Sequence, residues 1–271
     1  MKKKIVLLSV LVLIAVLAMT GCGKGDNSKV FKVGLEAGYA PFNWTQIDAS
    51  NGAVKIDGSE EYAGGYDVEI AKRIAEGLGK ELVIVKTEWD GLIPALTSGK
   101  IDAVIAGMSP TADRWKTIDF SINYYKSDLV MVVKKGGKYD NATSIQDFSG
   151  AKITAQLNTF HYTVIDQING VDKQPAMDNF PAMRVALESG IIDGYVSERP
   201  EGVSAEAANE NFKMVEFTEK FETSDDETAI AVGLRKKSDL LEKINQILAG
   251  ISEEEQKAIM DEAIKNQPAA N

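Results

Sequence analysis

Two stretches of this chain carry the same signal. ALTSGKIDAVIAG, from Ala95 to Gly107, and ALESGIIDGYVSE, from Ala186 to Glu198, agree at six of thirteen positions. Each reads as the end of an amphipathic helix, a glycine suited to a left-handed cap (Gly99 or Gly190), and then a buried strand. A chain that repeats such a unit is constrained toward two lobes of like construction rather than one large core. With 44% hydrophobic residues, about 250 residues beyond the N-terminal segment can fill two modest cores.

The surroundings of each copy support this division. In the first half, strand-like Val30 to Leu35 leads into the loop EAGYAPFNW and then a polar, glycine-bearing excursion from Thr45 to Gly65. Val68, Ala71, Ile74, Ala75 and Leu78 recur at helical spacing, so a helix is predicted over 66–78, ended by Gly79. Strand 82–86, helix 92–98 and strand 101–105 follow. The order then begins again, with a strand over 151–157, helices over 162–167 and 181–189, and a strand over 191–196. Alternating strands and helices predict an α/β fold with a mainly parallel sheet in each lobe. The closing segment, a strand-like AIAVGLR and helices over 239–248 and 253–265, has no counterpart in the second half, so the chain is expected to cross back. Residues 30–126 and 227–271 then form lobe 1 and residues 127–226 form lobe 2, with two crossings as the hinge.

The N-terminus points outward from the cell. Lys2, Lys3 and Lys4 precede an apolar run from Ile5 to Met19 broken only by Ser9, and small residues Thr20 and Gly21 stand before Cys22. This is a secretion signal, too short for a permanent span. Cys22 is the only cysteine, so no intramolecular disulfide can form. Residues 1–22 are therefore expected to be a leader ending at Cys22, and residues 23–29, small and polar, a flexible tether. No later segment is apolar enough to span a membrane. The formal net charge is −10 and becomes −13 once the three leader lysines are removed. Such a balance disfavours nucleic acid, whose affinity comes largely from lysine and arginine neutralising phosphates.

In open α/β sheets ligands gather beyond the carboxyl ends of the strands. In lobe 1 that rule selects Glu36 and Tyr39, then Trp89, then Gly107 to Arg114; in lobe 2 it selects Asn158, Thr159 and Phe160, then Glu198. In GMSPTADR, Ser109 suits an N-cap and Pro110 a first helical position, with Arg114 one turn on. An arginine fork beside a helix N-terminus is a carboxylate receptor; the alternative is a surface pair with Asp113 or Asp119. Glu198 ends an apolar strand, where it could face Arg114 across a cleft or pair with Arg199 or Lys213. Facing each other, the two would offer opposite poles to a zwitterion. Tyr39 and Trp89 could wall a ligand side chain, with Glu36 at its far end favouring a cation.

VGLEAGYAPFNW, GYDVEIAKRIAEGLG, WDGLIPALTSGKIDAVIAGMSPTADR and TIDFSINYY together resemble the family-3 solute-binding proteins of bacterial ABC transporters, especially the histidine and lysine/arginine/ornithine binders. The resemblance covers the chain beyond the leader. It implies an α/β, periplasmic-binding-protein-like type II fold, two lobes joined by a two-strand hinge with the ligand cleft between them. MTGC resembles a lipobox, with Met19 where leucine is commonest, and implies lipid on Cys22 and anchoring on the extracellular face. Carried over, Arg114 with the Thr159 backbone would take the α-carboxylate, and the Gly107 carbonyl, Ser109 and Glu198 the α-ammonium. Glu36, Tyr39 and Trp89 would surround the side chain, with Met108, Asn158, Phe160 and His161 completing the lining. Glu198 stands where aspartate is usual and Asn158 where glycine is common. His161 matches a position often held by glutamine; a surface histidine is the alternative.

The function implied is capture of an L-amino acid, basic in preference, for delivery to a membrane permease by a monomer that uses no cofactor or metal. A neutral polar ligand such as glutamine or cystine is the alternative, with Glu36 bonding an amide. A dehydratase-like enzyme on the same fold, or a receptor or adhesin lipoprotein, is the alternative of another class. The sequence contains no Ser-His-Asp order, metal-ligand cluster or phosphate-binding glycine loop.

Overall fold

Residues 29–268 are described by the computed structural model; Cys22, the leader and residues 23–28 of the tether lie outside the described residues. In chain order the strands are β1 (Val30–Leu35), β2 (Gly38–Tyr39), β3 (Asn43–Gln46), β4 (Val54–Lys55), β5 (Tyr62–Gly64), β6 (Glu81–Lys86), β7 (Ala103–Val104) and β8 (Ile118–Lys126). After a two-residue crossing come β9 (Leu129–Lys134), β10 (Lys152–Thr154), β11 (Asp172–Lys173), β12 (Gly194–Glu198) and β13 (Phe212–Val215), and then β14 (Ala229–Arg235). They assemble into two five-stranded sheets, β6-β1-β7-β14-β8 and β11-β10-β12-β9-β13, and a small four-stranded sheet, β2-β3-β5-β4.

The two large sheets share one plan. In each, three strands run parallel, with β1 or β10 in the middle. Two antiparallel pairings complete it: β14 joins β7 and then β8 in the first sheet, β9 joins β12 and then β13 in the second, so that only β14 and β9 run against the rest. The sheets are thus mixed rather than mainly parallel. The reason lies in the crossings: β9 has just left the first lobe and β14 has just returned to it, and each slots in antiparallel beside the repeated strand, β12 or β7. At the crossing, Ala229 pairs with Lys126, and Ser127 N–H donates to the Thr228 carbonyl at 3.0 Å.

The internal repeat is matched bond for bond. Gly99 (φ 79°) and Gly190 (φ 77°) both take the left-handed conformation. Lys32 N–H donates to Asp102 Oδ2 at 2.9 Å and Lys152 N–H to Asp193 Oδ2 at 2.8 Å. The N–H groups of Asp102 and Asp193 each return a 2.8 Å bond to the carbonyls of Lys32 and Lys152. The repeated aspartate therefore clamps the start of the repeated strand to the neighbouring parallel strand, β1 or β10.

Helix Tyr66–Leu78 forms where its spacing predicts and ends at Gly79 in the left-handed conformation. Buried residues form two clusters. One joins the first lobe to a face of the second through Val132, Phe180, Met183 and Tyr195; the other lies beyond the second sheet, around Met131, Phe148, Ile153 and Val196. Alternation along β9 sends Val132 to one side and Leu129, Met131 and Val133 to the other. The C-terminal helix Glu253–Asn266 touches helices in both lobes, and Gln267 just beyond it bonds to Ser204.

Two local expectations change. The excursion read as loop holds the small sheet, whose two- to four-residue strands are too short to display a period. GMSPTADR starts its helix later: the helix is Ala112–Trp115 with Thr111 at the N-cap. Ser109 stays outside, because its carbonyl is held by Thr111 N–H at 2.9 Å and by the Arg114 guanidinium at 2.9 Å.

Because the aspartate clamps are equivalent and lie in separate lobes, Asp193→Ala should cost about 1 to 2 kcal/mol. Asp102→Ala should cost at least as much, since Asp102 also lies 3.5 Å from Arg235. Urea unfolding of both singles and the double should give costs that add to within about 0.5 kcal/mol.

Candidate functional site

The carboxyl ends of the strands in both lobes face one seam. A small cavity of about 10 Å³ there is lined by Tyr39, Trp89, Gly107, Ser109 and Arg114 from the first lobe and Gln156, Thr159, Phe160 and His161 from the second. That volume is comparable to the room one water needs, so the lining side chains fill this part of the seam themselves. Glu36, Glu198 and Asn158 stand one contact back from the cavity. Met108, 2% exposed in the first core, is not among the residues that line this cavity, and its carbonyl accepts from Ala231 N–H at 3.0 Å.

Polar bonds cross the seam at three places. Tyr39 Oη donates to Glu198 Oε2. Gln156 Nε2 donates to Glu36 Oε2 at 3.0 Å. Asn158 carries two contacts: its carbonyl accepts from Arg114 Nη2 at 3.1 Å, and its side chain donates to Asp90 Oδ1 at 2.9 Å. Beside them the rings of Tyr39 and Phe180 stack at 4.2 Å.

Each group is held where its local sequence puts it. Arg114 rides the short helix Ala112–Trp115, its guanidinium 5.0 Å from the Trp89 ring centre. It pairs with neither Asp113 nor Asp119, which are taken by Lys116 and Lys236. Burial pushes its pKa down to about 10, against the upward pull of Glu198; it remains cationic at neutral pH. Glu198 is the last residue of β12 and 2% exposed. Arg199 turns away to Glu216, leaving Glu198 facing Tyr39 and His161. His161 Nε2 lies 2.9 Å from Glu198 Oε1, and the histidine is buried rather than superficial. Burial alone would raise the Glu198 carboxyl, but His161 and the Tyr39 hydroxyl outweigh it and hold it below the ordinary range.

Two backbone positions take left-handed geometry. Gly107 (φ 61°) lets Tyr39 approach so closely that a Cβ there would sit 2.6 Å from the ring. Asn158 (φ 56°) takes the same conformation, which asparagine tolerates better than most side chains; this is the physical reason glycine also suits the position. Thr159 caps the helix Phe160–Val164 by backbone geometry while its hydroxyl donates to the Gln156 carbonyl at 2.7 Å.

Four participants escape a reading of the sequence alone: Gln156, Asp90, Phe180 and the buried network under Gly107. In that network Asp67, fully buried, accepts from Asn43 Nδ2 at 2.8 Å and Tyr124 Oη at 2.7 Å, and Tyr124 Oη accepts from Gly107 N–H at 3.2 Å. Gln156 lies two residues before Asn158, so the period-two alternation of extended chain was the one signal available.

With the geometry in view, known proteins can be compared. Residues 31–265 match the family model of the bacterial extracellular solute-binding proteins, family 3. The chain belongs to that family. A probable histidine-binding protein of Campylobacter jejuni is 31% identical over 242 residues, 89% of this chain and 86% of the relative. A substrate-binding protein of an amino acid ABC transporter from Streptococcus pneumoniae, solved bound to L-arginine, superposes with a TM-score of 0.74 at 27% identity, covering 88% of this chain and 95% of that one. An ancestral arginine-binding protein solved bound to glutamine gives 0.70 at 32% identity, over 86% and 96%. Family-3 members are extracellular transport proteins that bind solutes, and no helix among the described residues is long and apolar enough to cross a membrane.

Burial raises the carboxyl of Glu36 to about 8 and that of Asp67 to about 7. Both therefore hold protons in the fold that the unfolded chain has released, from ordinary values of 4.5 and 3.8 upward. Stability contributed this way falls as pH rises, because the folded state binds more protons throughout the interval. Thermal scans without added amino acid should show the midpoint dropping by several degrees between about pH 5 and pH 8. Glu36→Gln should flatten that slope; an unchanged slope would show that Glu36 ionises normally.

Proposed function

We propose that this chain captures an L-amino acid with a cationic side chain between its lobes and delivers it to a membrane ABC transporter. The observation that supports this most is that guanidinium, carboxylate and a second buried carboxyl all engage partners across one seam. Each partner is a stand-in for one group of the ligand. An α-carboxylate on Arg114, helped by the N-terminus at Thr159, would replace the Asn158 carbonyl. An α-ammonium on Glu198, with the Gly107 carbonyl and Ser109, would replace the Tyr39 hydroxyl. A cationic side chain between Tyr39 and Trp89 would reach Glu36 in place of the Gln156 amide.

Binding then works by domain closure. The crossings at 127–128 and 216–228 join a first lobe of residues 30–126 and 227–271 to a second of residues 127–226, and they let the seam part. Because Arg114 and Glu36 would contact the ligand from the first lobe and Glu198 from the second, the ligand favours the closed arrangement by its differential affinity for it. Charged hydrogen bonds of roughly 1.5 to 3 kcal/mol each, less ordering costs, are compatible with a micromolar dissociation constant, about −8 kcal/mol. The arginine and histidine named for the relatives fit this reading. Lipid on Cys22, after cleavage of the leader, would hold a monomer at the extracellular face beside its permease.

A neutral amide side chain is the second reading, favoured by the Gln156 amide that already sits on Glu36. Titration calorimetry with arginine, lysine, histidine, glutamine and cystine separates the two. Arg114→Ala should weaken every ligand at least about 100-fold, the loss of a charged bond pair. Glu36→Gln should weaken the cationic ligands about 10- to 100-fold and spare the neutral ones. Tight glutamine or cystine binding with no heat from the three cations would overturn the cationic reading.

A further inference from the structure

Glu36 is placed unlike the other two charges of the seam. Arg114 has two carbonyls and an aromatic face, and Glu198 has His161 and a hydroxyl donor. Glu36 is 7% exposed; one oxygen accepts from the neutral Gln156 amide, and no hydrogen bond reaches the other, Oε1. Gln156 is itself fixed by a second bond, 3.1 Å to the Asp178 carbonyl, so it cannot turn to serve both oxygens.

The charges around Glu36 are of its own sign. Helix Tyr66–Leu78 contributes Asp67, and the segment after β6 contributes Glu88; both press the carboxyl toward its neutral form. Lys86, on the strand paired with β1, is engaged by Thr45 and Glu61. From the lobe-2 segment packed over Glu36, the neutral Gln156 amide donates to it while also bonding to the Asp178 carbonyl. A carboxylate this buried, without a cation and with two acids nearby, is held as an acid.

Building on the amino acid reading of the site, we propose that Glu36 receives the ligand as a neutral carboxylic acid. A cationic side chain drives its proton out to solvent, whereas a neutral amide side chain occupies the same subsite without proton release. As an acid, Glu36 offers one O–H donor and one acceptor oxygen, the complement of an amide; as a carboxylate it accepts only, the complement of a guanidinium or ammonium. One residue thereby serves two ligand chemistries, and pH decides between them. In the closed arrangement, where Gln156 covers Glu36, the value of about 8 sets the scale: at pH 7 roughly nine-tenths of that form would give up a proton when a cation takes the place of Gln156.

Titration calorimetry of the full-length protein with arginine, in phosphate and in Tris at pH 7, measures this directly. Observed heat should differ between the buffers by their ionisation enthalpies multiplied by about 0.9 proton released. Arginine affinity should rise close to tenfold per pH unit below about pH 8 and level off above it, while glutamine should show no buffer dependence. Glu36→Gln should abolish the arginine buffer effect, which assigns the proton to Glu36 and not to His161 on the opposite side of the seam. Arginine binding with equal heats in both buffers, or release that survives Glu36→Gln, overturns the proton coupling alone. No heat from arginine, lysine or histidine overturns the ligand assignment on which it rests.

Discussion

A charge removed from water must find an opposite charge or an oriented dipole, and the seam of this protein is arranged around that requirement. Arg114 and Glu198 belong to different lobes, yet Glu198 is felt at Arg114, and each leans on a group from the other lobe or from the loop beside it. Neither lobe alone satisfies its own share of the site. The proposed closure would thus draw on these electrostatics as well as on the hinge.

The scaffold keeps these poles in register by repetition. Two sheets of the same plan, each with an aspartate clamp at the start of its repeated strand, present equivalent loops to the same gap. Gly107 and Glu198 end the two copies of the repeat, one leaving room for the Tyr39 ring and the other presenting a carboxylate to the Tyr39 hydroxyl. Where the copies differ, function enters: a glycine with positive φ admits the tyrosine ring on one side, and a buried acid receives its hydroxyl from the other. The network of Asp67, Asn43 and Tyr124 beneath Gly107 belongs to the first lobe only and has no counterpart in the repeat.

Among the three charges, Glu36 is the one whose environment does not match its ionised form. Arg114 remains a cation and Glu198 remains an anion because their surroundings support those forms. Glu36 meets a neutral amide and two acids, so its protonation depends on what arrives. Under the proposed ligand reading, selectivity at Glu36 becomes a question of proton affinity as much as of shape.

Much of this was legible in the residues. Helical spacing over 66–78 with its glycine, the paired repeats at 95–107 and 186–198, and the return of AIAVGLR follow from local periodicity, which the chain cannot hide because burial on one face imposes it. The loop residues Tyr39, Trp89, Gly107, Ser109, Arg114 and Thr159 could be chosen because ligands gather beyond the strand ends of such sheets, whereas His161 could be reached only through the family resemblance. What only the tertiary structure decided is who faces whom. That Gln156 meets Glu36, that Asn158 carries Arg114 and Asp90 together, that Phe180 stacks on Tyr39 and that Met108 turns into the core are contacts between residues distant in sequence. Periodicity reports which face of an element is buried but not which partner covers it; that choice is made by packing between residues far apart in the chain.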